Sequence, residues 1–451
     1  MTYLRLSCLL SLALLSFDCL PLSVLAQSVT PPSTSANLSA SLSLSESLEQ
    51  ADQNNPQLLA ARGNLPISRA GITIAGATPN IQVGFQYGFG SVYTAGGNPQ
   101  QVQLTQTVEL GGKRSARLGL ANAQYQLATV QIDAQRLGVR DQVRRAYAEL
   151  AAAEGYAKAL EEQTKLVQKL LEIARKRFEA GAAPEADVLQ AKLSRMQLEP
   201  QQKQVQNRIQ TDLIQFNALL GTPLQQAIDV KDKSLFDLTV RKTELVPAPD
   251  AVFPPVEALL TRAYSRRLDL KTAQQQQEVA RRQLSVTKAQ RVPDLQLTAG
   301  YVFSTYTNAQ DIPSSLNGSQ ANGVFVGATV TVPLFYHQQG EAAQAQATIN
   351  QASKQVVAQR QQVSADVQTA YRSLVTAAEN VRQYRSQLLP ASREVAALAQ
   401  ESYQVGKTNL ASAIVAEQAN QQVRSGYLDA VTAYQNAYAD LEKAVGEPLA
   451  F

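Results

Sequence analysis

The sequence predicts a mixed but mainly α-helical fold, duplicated within one chain. Long helices form a coiled-coil barrel, and four strands per chain contribute to a membrane β-barrel. Three observations predict this. A short glycine turn occurs twice, at Gly181 and again 225 residues on at Gly406. Ahead of each turn, apolar residues recur every seven positions over about 65 residues, the condition for a coiled coil. Between the helical stretches lie four segments that alternate apolar and polar residues.

Residues 1–26 carry one early Arg5, an apolar stretch and Val24-Leu25-Ala26 at their end, the form of an export signal cleaved after Ala26. The apolar stretch is short of the roughly 20 residues a membrane helix needs, which argues against an uncleaved anchor. Cys8 and Cys19 both lie inside it. The mature chain is therefore expected to hold no disulfide, thiolate metal site or cysteine nucleophile. Neither cysteine sits in a convincing lipid-attachment motif. Residues 27–40 are rich in Ser, Thr and Pro and read as a flexible lead-in.

Two similar repeats follow. The first, 41–223, ends in ALLGTPL, and the second, 255–448, ends in KAVGEPL. Gly221 and Pro223 match Gly446 and Pro448 at the same shift of 225 residues. Upstream, Tyr147 in RDQVRRAYAEL matches Tyr371 in SADVQTAYRSL at a shift of 224, so one residue was gained or lost between these landmarks. A linker, 224–254, contains VPAPDAVFPP, and 449–451 form a short tail. The period is too long for a solenoid repeat.

Each repeat reads as helix, two strands, long helix, turn, helix. The first short helix is expected at 43–77, with its counterpart at 256–290. The strands fall in PNIQVGFQYGFGSVY (79–93), PQQVQLTQTVEL (99–110), PDLQLTAGYVFSTYT (293–307) and NGVFVGATVTVPL (322–334). Each has one apolar face and one of Gln, Thr and Gly, as a barrel strand between lipid and water has. A sheet packed on helices in a soluble domain gives the same alternation; the export signal and the rods favour the barrel. In the second long helix Val367, Leu374, Val381, Leu388 and Val395 form the seam. In the first, Val143, Leu150, Ala157, Leu171 and Phe178 do so, with Thr164 interrupting. The remaining short helices are expected at 184–220 and 409–445, long enough with their partners to lie end to end beside a long helix. Pro390 and Pro200 should each cause a kink or local break.

The glycine turn is then the tip of a helical hairpin. Gly181 and Gly406 suit a left-handed helix C-terminus, and Pro184 suits the first turn of the next helix. One chain supplies four strands. An open sheet edge in lipid costs several kcal/mol per unpaired group, and single-chain barrels begin at about eight strands. Several copies must therefore share one barrel.

The export signal, the duplication, two strands per repeat, the paired glycine tips and the closing LLGTP resemble the TolC-like outer membrane efflux proteins over nearly the whole mature chain. ELGGKR (109–114) is similar to the segment found there in members serving heavy-metal pumps. The resemblance implies a homotrimer with a twelve-stranded barrel in the outer membrane bilayer and a helical tunnel across the periplasm. It implies a passive duct for solutes, completed by an inner-membrane transporter and a periplasmic adaptor. The tips, with Gly181, Ala182, Pro184, Gly406, Lys407 and Asn409, would dock the adaptor; the glycines equally suit plain helix termination. Asp187 would pair with groups beside the other tip, at Tyr403 and Thr408, and close the periplasmic gate. The family's basic residue falls at Thr408, which carries no charge, with Lys407 adjacent. The family's acidic rings fall at Ser412 and Val415, both uncharged. Asp187 also suits the positive end of its helix, worth about 0.3–1 kcal/mol.

Other classes find little support. A net charge of +4, without basic runs, does not argue for nucleic acid. No nucleotide or dinucleotide fingerprint, nor Gly-x-Ser-x-Gly elbow, is present, and no cofactor or enzymatic activity is expected. The sole histidine, His337, lacks visible partners, and Glu161-Glu162 read as solvated helix-surface charge. A periplasmic coiled-coil adaptor or structural protein without a pore is the alternative, but it would not need four amphipathic strands.

Overall fold

The computed structural model describes residues 40–87, 98–231, 249–305 and 323–449. The expected export signal lies outside these residues. β1 (Ala40–Leu42) ends the expected lead-in and leads into α1 (Leu44–Asn54), α2 (Pro56–Arg62) and α3 (Asn64–Gly76). The stretch expected as one helix over 43–77 is thus three. Asn55, preceding Pro56, is driven into extended backbone at ψ 122°. Its side chain caps the next helix by accepting from Leu58 N at 3.0 Å. Gly63 marks the second break.

β2 (Gln82–Tyr87) and β3 (Asn98–Val108) follow, then α4 (Lys113–Glu179), α5 (Glu185–Leu220) and β4 (Ile228–Val230). The second repeat runs α6 (Val256–Arg266), α7 (Leu268–Gln290), β5 (Leu295–Thr305), β6 (Gly323–Val330) and α8 (Gln339–Gln383). A π-helical turn (Tyr384–Leu388) leads directly into α9 (Leu389–Gln404), and α10 (Leu410–Val445) closes the chain. The stretch expected as one helix over 256–290 is broken at Arg267, which is extended. The expected linker includes β4, which pairs in parallel with β1; its residues 232–248 lie outside those described.

The same device closes both repeats. α5 ends at Gly221 and α10 at Gly446, both left-handed. The side chain at each upstream break then satisfies an orphan carbonyl of the closing helix. Asn55 Nδ2 donates to Leu219 O at 2.8 Å, and Arg267 Nη1 donates to Ala444 O at 3.1 Å. The two carbonyls are 225 residues apart, the spacing of the glycines themselves. Glycine is required at both places: a Cβ on Gly221 would strike the Asn54 carbonyl, and one on Gly446 would lie 3.1 Å from the Arg267 backbone.

α4 contains 67 residues, on the order of 100 Å at 1.5 Å per residue. Its seam residues Val143, Leu150 and Leu171 are buried, while Phe178 is 45% exposed in the isolated chain. In the second repeat Val367, Leu374 and Val381 are buried as expected, but Leu388 is 37% and Val395 56% exposed. The buried positions move on by one residue, to Leu389, Ala396 and Tyr403. The π turn, carrying one residue more per turn than an α-helix, lies between the two registers. It also accounts for the sequence shift, which is 224 before it and 225 after it. Pro390 enters just beyond the widened turn, where its missing N–H and its ring are most easily accommodated. At Pro200 no break occurs: α5 runs through it as one helix.

The largest core lies where the helices of both repeats meet. Tyr147 packs edge-on against Phe216, with centroids 5.9 Å apart, and Val143, Leu374 and Tyr434 are fully buried around them. A smaller core sits at the hairpin tips: Leu171, Ala174, Ala191, Tyr403, Leu410 and Ala413, drawn from both repeats. α4 packs on α5 and α10, and α10 on α9, so α5 and α9 are the outer helices of the tip half. In the other half α4 packs on α3 and α7, and α7 on α8. No helix among the described residues is long and apolar enough to cross a membrane.

Candidate functional site

β2, β3, β5 and β6 form one antiparallel sheet in that order. Its register gathers the alternation of four separate strands onto two faces. Val83, Leu104, Ala299 and Val326 form one cross-strand row, and Phe85, Val102, Tyr301 and Val324 the next. The intervening rows are Gln82, Thr105, Thr298 and Gly327, then Gly84, Gln103, Gly300 and Phe325. On this second face Gln101 Nε2 donates to Gln86 Oε1 at 2.7 Å, and the Phe325 ring occupies the space a Cβ on Gly300 would need. Gln106, on the apolar side, has its amide donating to the Pro79 and Thr107 carbonyls, each at 3.0 Å. Among the described residues no helix packs on the sheet, and Val83, Phe85, Val324 and Val326 are exposed. β2 and β6 are its two edges, each paired on one side only.

The sheet is tied to the rods at its lower end. Gly111 and Gly112 both adopt left-handed backbone between β3 and α4. Lys113 Nζ pairs with Asp294 Oδ1 at 2.7 Å and so braces the junctions of the two repeats against each other, while Arg117 pairs with Glu109 within the first. His337, at the β6–α8 junction, is exposed.

At the far end the tips repeat one backbone geometry. Ala182 N donates to Arg177 O at 2.7 Å, and Lys407 N donates to Ser402 O at 2.9 Å, the six-residue closure of a Schellman turn. Gly181 and Gly406 have φ of 70° and 80°. Pro184 is the N-cap of α5, one residue ahead of its first turn. Asn409 caps α10 by accepting from Ser412 N at 2.9 Å and from Ser412 Oγ at 2.8 Å. Gly181, Ala182, Pro184, Gly406, Lys407, Thr408 and Asn409 are all exposed.

One cluster links the two tips. Tyr403, 1% exposed, donates its hydroxyl to Asp187 Oδ2 at 3.3 Å. The Arg177 guanidinium lies 4.7 Å from the centroid of the Tyr403 ring. The same guanidinium donates to the Tyr403 carbonyl and, at 3.2 Å, to the Ala182 carbonyl. Burial and then the Asp187 carboxylate push the Tyr403 hydroxyl up to about 12, although Arg177 draws it the other way. The hydroxyl is therefore a donor throughout the neutral range. The family resemblance placed the basic residue at Thr408, which carries no charge, and left Lys407 beside it as the substitute. Lys407 forms no ion pair among the described residues, and the cation beside Tyr403 is Arg177 of the other hairpin. Its proximity depends on a contact between residues 226 apart, which no local spacing encodes. Ser412 is spent on the cap, and Val415 is exposed. Glu162, expected as solvated charge, pairs with Arg424 of α10, while Glu161 pairs with Lys165 at 2.6 Å on its own helix.

Comparison with known proteins agrees with this geometry. The family model described as "Outer membrane efflux protein" matches residues 47–222 and 259–447. The cobalt-zinc-cadmium resistance protein CzcC of Cupriavidus metallidurans is 23% identical over 407 residues, covering 90% of each chain. Outer membrane protein TolC of Vibrio cholerae is 24% identical over 351 residues, covering 76% of this chain and 74% of its own. The solved outer-membrane channel OprN has a TM-score of 0.71 at 18% identity, covering 90% of each chain.

Proposed function

The chain belongs to the outer membrane efflux protein family, and from that premise we propose that it is the outer membrane duct of a tripartite exporter, working as a homotrimer. The observation that carries the reading is the four-stranded sheet. It has one apolar and one polar face and, among the described residues, packs on no helix and ends in two unpaired edges. Three copies, joined β6 to β2, supply twelve strands and remove every edge, with lipid against the apolar face and water against the glutamines and threonines. The outer helices support the same ring. α5 exposes Leu189, Leu193 and Met196, and α9 exposes Val395 and Leu398. Each is an unpaired apolar stripe suited to the next copy's stripe.

In this reading the protein performs no chemistry. Export is driven by an inner-membrane transporter, and a periplasmic adaptor docks on the tips around Gly181, Ala182, Pro184, Gly406, Lys407 and Asn409. The Asp187–Tyr403–Arg177 cluster holds the two hairpins of a chain together in the resting, narrowed state, with Lys407 and Thr408 on the rim beside it. The wall adds no acidic ring at Ser412 or Val415, so the tip is not expected to select for cations. The test is conductance in a planar bilayer with detergent-extracted protein, beside cross-linking in native outer membranes. Stepwise conductance and a trimeric cross-linked species are expected. A protein that yields only monomers and no pores would overturn the reading.

A further inference from the structure

A cavity of about 90 Å³ lies between α4, α5 and α10, one to two turns above the tip core. Its polar lining is Gln163, Ser194, Gln197, Gln201, Glu417 and Gln418. Two of these side chains are more than nine-tenths buried: Gln163 at 6% and Glu417 at 8% exposure. Gln163 Oε1 and Glu417 Oε1 are both buried acceptor oxygens that find no donor. Buried acceptors without partners are costly, and a buried carboxylate needs a counter-charge.

Among the described residues the one neighbouring cation is shared between two acids. Arg424, a further two turns along α10, pulls on Glu417 from a distance but pairs through Nη2 with Glu162 of α4, while its Nε finds no partner among the described residues. α5 brings Ser194, Gln197, Leu198 and Gln201 to the cavity, none of them charged, and beyond it on α10 Asn420 accepts from Ser392 Oγ of α9 at 3.1 Å. Arg424 and Glu162 cancel, leaving the charge of Glu417. Burial raises the Glu417 carboxyl above its usual range, against the pull of Asn420 and Arg424, so the bare carboxylate is disfavoured unless a proton or a cation joins it.

We propose that this cavity binds one small monovalent cation, of the sodium or potassium class, between the oxygens of Glu417 and Gln163. A proton would neutralise the acid and give it an O–H to donate to the Gln163 oxygen, but would leave the space unfilled. The volume suits a hard cation with two or three waters, at about 30 Å³ of liquid volume per water. Oxygen donors alone match that class of ion. A divalent ion would exceed the one uncompensated charge. Because the ligands come from different hairpins, the bound ion clamps α10 of the second repeat to α4 of the first.

The experiment is hydrogen–deuterium exchange on the assembled full-length protein in detergent, in sodium, potassium or choline chloride at equal ionic strength. Choline offers no bare charge for oxygen to coordinate. In sodium or potassium, peptides covering 410–425 should exchange more slowly, by about tenfold at ten times the dissociation constant. Peptides around Val143 should be unaffected, which reports an intact fold. Glu417→Gln, and separately Gln163→Leu, should reduce the salt difference to nothing. Equal exchange in all three salts overturns the proposal. So does a cation effect that survives Glu417→Gln, or protection that follows pH alone and marks a proton in place of an ion.

Discussion

At the scale of single residues, the tip rests on few side chains. Tyr403 carries two contacts at once, a hydroxyl on Asp187 and a ring under Arg177. Asp187→Ala and Tyr403→Phe should each raise single-channel conductance, and the double variant should add little, because both remove one hydrogen bond. Arg177→Gln should have the larger effect, since it also frees the Tyr403 and Ala182 carbonyls. Equal conductance in all these variants, with assembly intact, would place the gate elsewhere. The raised Tyr403 hydroxyl sets a sign for pH. The folded protein favours the neutral phenol, so its contribution is complete below the ordinary value of 10.0 and is lost as pH rises through about 12. Alkaline titration of tyrosinate absorbance should show one late-ionising group fewer in Tyr403→Phe. Arg177 lies one turn ahead of Gly181, yet its role was not legible from the sequence, because it acts across hairpins. Asp187 and Tyr403 were reached only by resemblance; spacing alone does not bring them together.

At the scale of elements, most helices were legible because a seven-residue rhythm survives over many turns. Their interruptions were legible only in part. Pro56 announces the break at Asn55, but nothing local announces Arg267, whose extended backbone is held by contacts to Asp269, Asp366 and Ala444. The three-residue ladder of β1 and β4 is too short for any period to register. The change of shift from 224 to 225 signalled an inserted residue without locating it, and the π turn at 384–388 locates it. Deleting the exposed Ser386 should therefore be tolerated. It would convert the skip from Val381 to Leu389 into a plain seven-residue step and keep Tyr403 on the seam. Inserting an alanine there should instead turn Tyr403 outward and raise conductance as Tyr403→Phe does. Asn55→Ala removes both a helix cap and the donor to Leu219, and should cost about 1–2 kcal/mol in thermal unfolding.

At the scale of the whole molecule, the two sheet faces should respond to charge in opposite ways. Val326→Lys places an ammonium on the apolar face and should cost about 2–4 kcal/mol at mid-bilayer depth. Thr298→Lys, on the polar face, should be accepted. The heat-modifiable gel species should be lost in the first and kept in the second. The open edges at β2 and β6 also reach into heredity. If three chains complete one barrel, a copy with a spoiled edge strand, but sound helices, still joins its sisters and leaves the seam unclosed. In a cell making sound and faulty chains equally, only about one trimer in eight would be wholly sound by random assortment. An edge lesion would thus act as a dominant allele, whereas loss of the gene would be recessive.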